Sequence, residues 1–188
     1  MLTTWAIGSN LEDGPLIAER PGGVEQMPAK YSDIEIARMV QERKPLPNKY
    51  FSRVILRNKR GHKERELDIT GDKGRQYRLI LRQSSFNMLD FSIILAVNPV
   101  NSNQLFRLRR YNGKSHEHTN QIEGNTFYGF HIHVATERYQ EMGAREDAFA
   151  EVTDRYADFN TALHCMFEDC GFVPPPGSQQ GLFGEFDV

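Results

Sequence analysis

Four of the chain's six histidines fall between His116 and His133, as two His-x-His pairs, His116/His118 and His131/His133. Imidazole titrates near neutral pH, so such a cluster suits proton transfer, and its uncharged form is a common metal ligand. Two histidines at i and i+2 on a strand project from one face with their backbones about 6.6 to 6.8 Å apart, close enough for both rings to converge on one ion. His118, Glu117 or Glu137 would complete a set for one divalent transition metal. A metal-independent alternative makes His118 and His131 an acid–base pair on a ribose phosphodiester, with His133 as the orienting partner. A third reading gives these histidines no chemistry and leaves them as polar residues on a solvent-facing strand.

The alternation of side chains decides which residues would join them. Along TFYGFHIHV (126 to 134), Tyr128, Phe130, Ile132 and Val134 point one way, and Phe127, Gly129, His131 and His133 the other. In the preceding strand Phe106, Leu108 and Arg110 share one face, and Arg107, Arg109 and Tyr111 share the opposite one. Aligning the two apolar rows sets Arg107, Arg109 and Tyr111 beside the histidines on an open surface. Together with Arg78, Arg82 and Lys114 they make a candidate contact surface for RNA or another anionic polymer, since arginines hold phosphates and aromatic rings stack on unpaired bases.

Charge is unevenly distributed. Residues 49 to 114 carry 15 Lys/Arg against 5 Asp/Glu, whereas residues 115 to 188 carry 3 against 13. Such a division fits a basic surface for an anionic partner, or two oppositely charged regions that meet across the fold. A protein partner bound through the acidic C-terminal third is the non-enzymatic alternative.

The elements that must position these groups follow from periodicity. SDIEIARMVQERK, with Ser32 and Glu35 at capping-box spacing, predicts a helix over 32 to 44 that ends before Pro45-Leu46-Pro47. Six stretches then read as strands: 51 to 57, 64 to 70, 75 to 83, 90 to 97, 104 to 111 and 126 to 134. Short turns between them imply an antiparallel meander. A second helix is expected over 153 to 170, capped by Thr153 and stopped by Gly171, with Tyr156, Phe159, Leu163, Met166 and Phe167 as its apolar stripe. The expected fold is therefore α+β, an antiparallel sheet of about six strands packed by two helices on one face. One domain spans 29 to 172, between a Gly/Pro-rich lead-in at 1 to 28 and a Pro-rich tail at 173 to 188.

A chain of 188 residues suffices for one core without disulfides, and Cys165 and Cys170 read as reduced and structural. No apolar run approaches the roughly 20 residues of a membrane-spanning helix, so the expected location is the cytoplasm, without membrane contact.

HIHVATERYQEMG is similar to the first metal motif of the cupin barrels, His-x-His followed by Glu and Gly; the only histidine after it is His164. Over Tyr31 to Gly171 the order of pieces resembles an uncharacterised bacterial family of small α+β proteins. In that family an Arg-Leu strand leads to a His-Thr-Asn loop, here His118, Thr119 and Asn120, and then to a His-x-His strand, here His131 and His133. The resemblance implies the architecture and selects His118 over His116, and it supplies no reaction. The leading expectation from the sequence is RNA binding with metal-independent ribonuclease activity of a toxin-like kind; the alternatives are a His-x-His metal site and a protein-interaction module.

Overall fold

The computed structural model describes residues 29–100 and 102–176. The expected lead-in and most of the tail lie outside the described residues. Helix α1 (Asp33–Gln41) begins as its sequence dictates: the Ser32 hydroxyl accepts from the Glu35 backbone N–H, and the Glu35 carboxylate accepts from the Ser32 N–H. Ile36, Met39 and Val40 form its buried stripe. The chain then makes a two-residue strand β1 (Lys44–Pro45), a short helix α2 (Tyr50–Val54) and strand β2 (Arg57–Asn58). Residues 51 to 57 are thus not the expected strand. Tyr50 and Val54 are the buried residues of α2, four apart, and that helical spacing overrides the strand-like composition.

The meander proper is β3 (His62–Thr70), β4 (Gln76–Ser84), β5 (Phe91–Val97) and β6 (Phe106–Asn112). A small hairpin follows, β7 (Glu117–Thr119) with β8 (Thr126–Tyr128), and then β9 (His131–Val134), helix α3 (Glu137–Glu141) and β10 (Phe149–Val152). Helix α4 (Phe159–Asp169) and β11 (Phe172–Val173) complete the described chain. The main sheet has seven strands, all antiparallel, in the order β10-β9-β6-β5-β4-β3-β2. The α+β class and the meander are as the sequence predicts. No helix among the described residues is long and apolar enough to cross a membrane.

One face of the sheet makes the core. Leu67, Ile69, Tyr77, Leu79, Leu81, Phe91, Ile93, Leu95, Val97 and Tyr111 pack with the α1 stripe and with Leu163, Met166 and Phe167 of α4. Helix α4 starts later than expected. Asp158, not Thr153, is its N-cap and accepts from the Thr161 N–H. Tyr156 precedes the helix and is buried, its hydroxyl donating to the carbonyls of Asn112 and His131. The helix stops at Gly171, whose φ of +68° favours glycine, and a Cβ there would meet the Glu42 carbonyl oxygen at 2.5 Å. Both cysteines are buried and unbridged, and burial pushes the Cys165 thiol up to about 11 and Cys170 to about 12, as inert structural thiols behave.

Lys44 joins the ends of the two long helices. It is fully buried, and its Nζ donates to the carbonyls of Met39, Val40, Glu42 and Cys170 at 2.7 to 2.9 Å. Burial pushes this ammonium down to about 8, while four carbonyl oxygens at the C-terminal ends of α1 and α4 hold the charged form at neutral pH.

Candidate metal centre

The strand expected over 126 to 134 breaks at Gly129 and Phe130. Its first part pairs with β7 in the small hairpin, and its second part, β9, enters the main sheet between β6 and β10. This break folds the β7–β8 hairpin back toward the face of β9 that carries His131 and His133. Phe127 and His118 of the hairpin make ring contacts with His131, and His118 also contacts His133. Asn120 ties the hairpin to β10: its Nδ2 donates to the Ala150 carbonyl, and its Oδ1 accepts from the Ala150 N–H. Tyr139 of α3 steadies the turn by accepting from the Ile122 N–H and donating to Glu123.

The expected open surface is therefore absent. His131 is 0% exposed and His133 2%, and both are covered although they face away from the α4 core. The arginines also differ from expectation. Arg110 pairs across the sheet with His133, and Asn112 with His131, so these two residues share the histidines' face. Arg109 lies opposite Val134 and Leu95, on the α4 side, and Tyr111 is buried there, donating to Asp169. A register shift between Leu95 and Ala96, where Leu108 has no cross-strand partner, reverses the alternation of β6 and moves Arg109 and Tyr111 to the other face. Arg107 keeps the outer face and pairs with Glu146. Arg78 is paired with Asp68 and Glu66, Arg82 lies beside His62, and the Lys114 ammonium sits over the Phe130 ring. Glu137 is not near the cluster: its backbone N–H and its carboxylate are hydrogen-bonded to Asp33 at the start of α1. Glu117 is exposed on β7. The ion pairs Arg107–Glu146 and Arg110–Asp147 do join the basic centre of the chain to its acidic third.

What converges is His118, His131 and His133, whose candidate ligand nitrogens all lie within 4.8 Å of one another. Ring centroids are 4.9 Å apart for His131 and His133, 4.7 Å for His118 and His133, and 5.5 Å for His118 and His131. Each ring has one nitrogen committed to an oxygen that can only accept. His131 Nδ1 donates to the Gly129 carbonyl at 2.7 Å, His133 Nδ1 to the Asp147 carbonyl at 2.9 Å, and His118 Nε2 to Asn120 Oδ1 at 3.0 Å. The Gly129 carbonyl makes Nε2 the lone-pair nitrogen of His131; His133 Nδ1 stands between the Asp147 carbonyl, an acceptor, and Arg110 Nη2, a donor at 3.0 Å, and Asn112 facing its Nε2 favours the lone pair there. Asn112 Nδ2 lies 3.3 Å from both Nε2 atoms and donates to them. A shared ion held at about 2.0 to 2.1 Å from each nitrogen requires the rings to draw together by side-chain rotation and Asn112 to give way.

Electrostatics keep the imidazoles uncharged. Burial, followed by the neighbouring His118, His116 and Arg110, pushes His131 down to about 4. Burial and then the Arg110 guanidinium hold His133 well below the usual imidazole range, and burial lowers His118 as well. Neutral rings are what a metal needs, whereas a general acid at neutral pH needs a protonated one.

The same shift has a consequence for stability. Unfolded, His131 takes up its proton near 6.5, and folded only near 4. Between those values the unfolded chain binds more protons, so stability falls as pH drops from about 6.5 toward 4. For the metal-free protein we expect urea denaturation to show this loss, with His131→Gln flattening it by on the order of 2 to 3 kcal/mol. Parallel pH profiles for the two proteins would contradict the assignment.

Beside the trio opens a cleft of ≈ 430 Å³, lined by His116, His118 and His133 but not His131, and by Thr119, Gln121, Arg110 and Arg145. A larger apolar groove of ≈ 630 Å³, between α2 and the start of α4, contains none of the histidines.

Arg110, Asn112, Asp147 and Arg145 were not among the sequence-derived candidates. The shifted parity of β6 conceals the first two, and the others sit on a loop without periodicity. Asn120 stood in the His-Thr-Asn motif, and its clamp on Ala150 gives that motif a physical reason. Asn120→Ala is expected to weaken metal binding about 10- to 100-fold, since it removes the acceptor that orients His118; a competition titration against a chromophoric chelator measures it. Comparison with protein-family models, curated proteins and solved structures returns no significant match.

Proposed function

We propose that the protein is a metal-dependent enzyme whose centre is one divalent transition metal, zinc or ferrous iron, held by His118, His131 and His133. The observation that carries this reading is the set of three buried or half-buried neutral imidazoles, each with its second nitrogen oriented by an oxygen acceptor. That is the outer shell that metal-ligating histidines require. Three protein ligands leave a coordination position free, as in catalytic sites, and the adjoining cleft gives a substrate access to it. Three imidazoles suit zinc, iron, copper or nickel better than magnesium or calcium, which prefer oxygen.

The ribonuclease reading has weaker support. Its acid–base pair would use His131, which is buried and held uncharged, and of the two arginines expected beside the histidines Arg109 faces the opposite side of the sheet while Arg107 is paired with Glu146.

The test is elemental analysis of the full chain after chelator dialysis and reloading with zinc or, anaerobically, ferrous iron. One equivalent of retained metal per chain is expected for the wild type, and less than about a tenth for a His118→Gln, His133→Gln variant that keeps its circular dichroism spectrum. A wild type that retains no metal overturns the proposal.

A further inference from the structure

The cleft beside the histidines has a composition that the rest of this region lacks. Residues 115 to 188 carry 13 acidic side chains against 3 basic ones, yet none of the residues lining the cleft is acidic, and two are arginines. One carboxylate, fully buried behind them, arranges both. Asp147 forms an ion pair with each, one oxygen 2.9 Å from Arg110 Nε and the other 2.6 Å from Arg145 Nε, although neither carboxylate oxygen has hydrogen-bond geometry. The two ion pairs keep both guanidiniums at the carboxylate, and Arg110 Nη2 reaches to 3.0 Å from His133 Nδ1. Arg110 is 15% exposed and lies against His133, while Arg145 is 49% exposed at the cleft wall.

Two guanidiniums stand against one carboxylate, so the cleft wall carries an excess of positive charge before any metal is counted. An anion in the cleft would be attracted by that excess charge, and more so with a metal beside it. Thr119 and Gln121 add polar side chains to the same wall, and the volume is of the size that small-molecule sites have.

We infer that the cleft binds a small carboxylate-bearing substrate, whose carboxylate is received between the Arg145 guanidinium and the three-histidine centre, with Arg110 behind it. This rests on the metal reading above, because the anion is placed to complete the coordination and the charge of that centre. The planar guanidinium fork matches the two oxygens of a carboxylate, and Arg145, prearranged by Asp147, loses little freedom on binding. Arg145 acts here as a specificity residue and not as a ligand of the metal.

The experiment uses the full chain loaded with cobalt(II), whose visible spectrum reports its ligand field. Acetate, butyrate, acetamide and inorganic phosphate are titrated separately. The expected result is a saturable spectral change with acetate and butyrate, none with acetamide, and at least tenfold weaker carboxylate binding in Arg145→Gln, with cobalt stoichiometry unchanged. Absence of any cobalt spectrum with imidazole ligation defeats the metal reading itself. A normal cobalt spectrum that carboxylates do not alter, or alter equally in Arg145→Gln, overturns the carboxylate inference alone. Preference for phosphate over both carboxylates overturns it as well.

Discussion

Replacing His133 by glutamine is expected to abolish metal retention, lowering affinity by more than a hundredfold, while His116→Gln leaves it within about threefold. His133 is buried and enclosed by its bonding. Its Nδ1 is fixed by the Asp147 carbonyl, its Nε2 faces Asn112, and its ring contacts both other histidines. Removal of one of three ligands costs more than loss of an outer-shell partner, for which 10- to 100-fold is typical. His116 differs in kind: it is exposed, contacts only the edge of the cluster through His131, and belongs to no candidate ligand set among the described residues. Isothermal titration with zinc measures both variants. Equal losses in the two would mean that the four histidines bind metal as a loose surface cluster.

The second large effect concerns the frame. Lys44→Met is expected to destabilise the fold by about 3 kcal/mol or more in urea denaturation, because it leaves four buried carbonyls without their common donor. Methionine is close to lysine in length and apolar, so packing is largely kept and the loss reports the missing hydrogen bonds. Lys44 also ties α1 and β1 to the end of α4, where the Lys44 N–H donates to the Gly171 carbonyl. A cost below about 1 kcal/mol would show that water or local rearrangement satisfies those carbonyls.

The frame was legible because its signals are local. Ser32 and Glu35 announce α1, and strict alternation over β3, β4 and β5 sets the meander in register. The short elements were not legible. In 51 to 57 the branched and aromatic residues have strand composition, but Tyr50 and Val54 bury at helical spacing, and tertiary burial settled the contest. At the site, His131 and His133 lie, as expected, on the face away from the main apolar row, and the His118 ring, not His116, falls within reach of both. Two non-local events were invisible. The register shift at Leu108 exchanges Arg109 for Arg110 beside the histidines, and the hairpin clamped by Asn120 converts an exposed strand face into a covered site. Neither leaves a periodic trace, since one depends on pairing with a distant strand and the other on a hydrogen bond to Ala150, 30 residues away.

The most direct measurement of the central claim is X-ray absorption on the protein loaded with one equivalent of zinc. The arrangement of His118, His131 and His133 predicts a first shell of three imidazole nitrogens at about 2.0 to 2.1 Å with one further light atom from solvent or a bound anion. A shell built chiefly of oxygen, or one containing no more than a single imidazole, would contradict a metal centre formed by these three side chains.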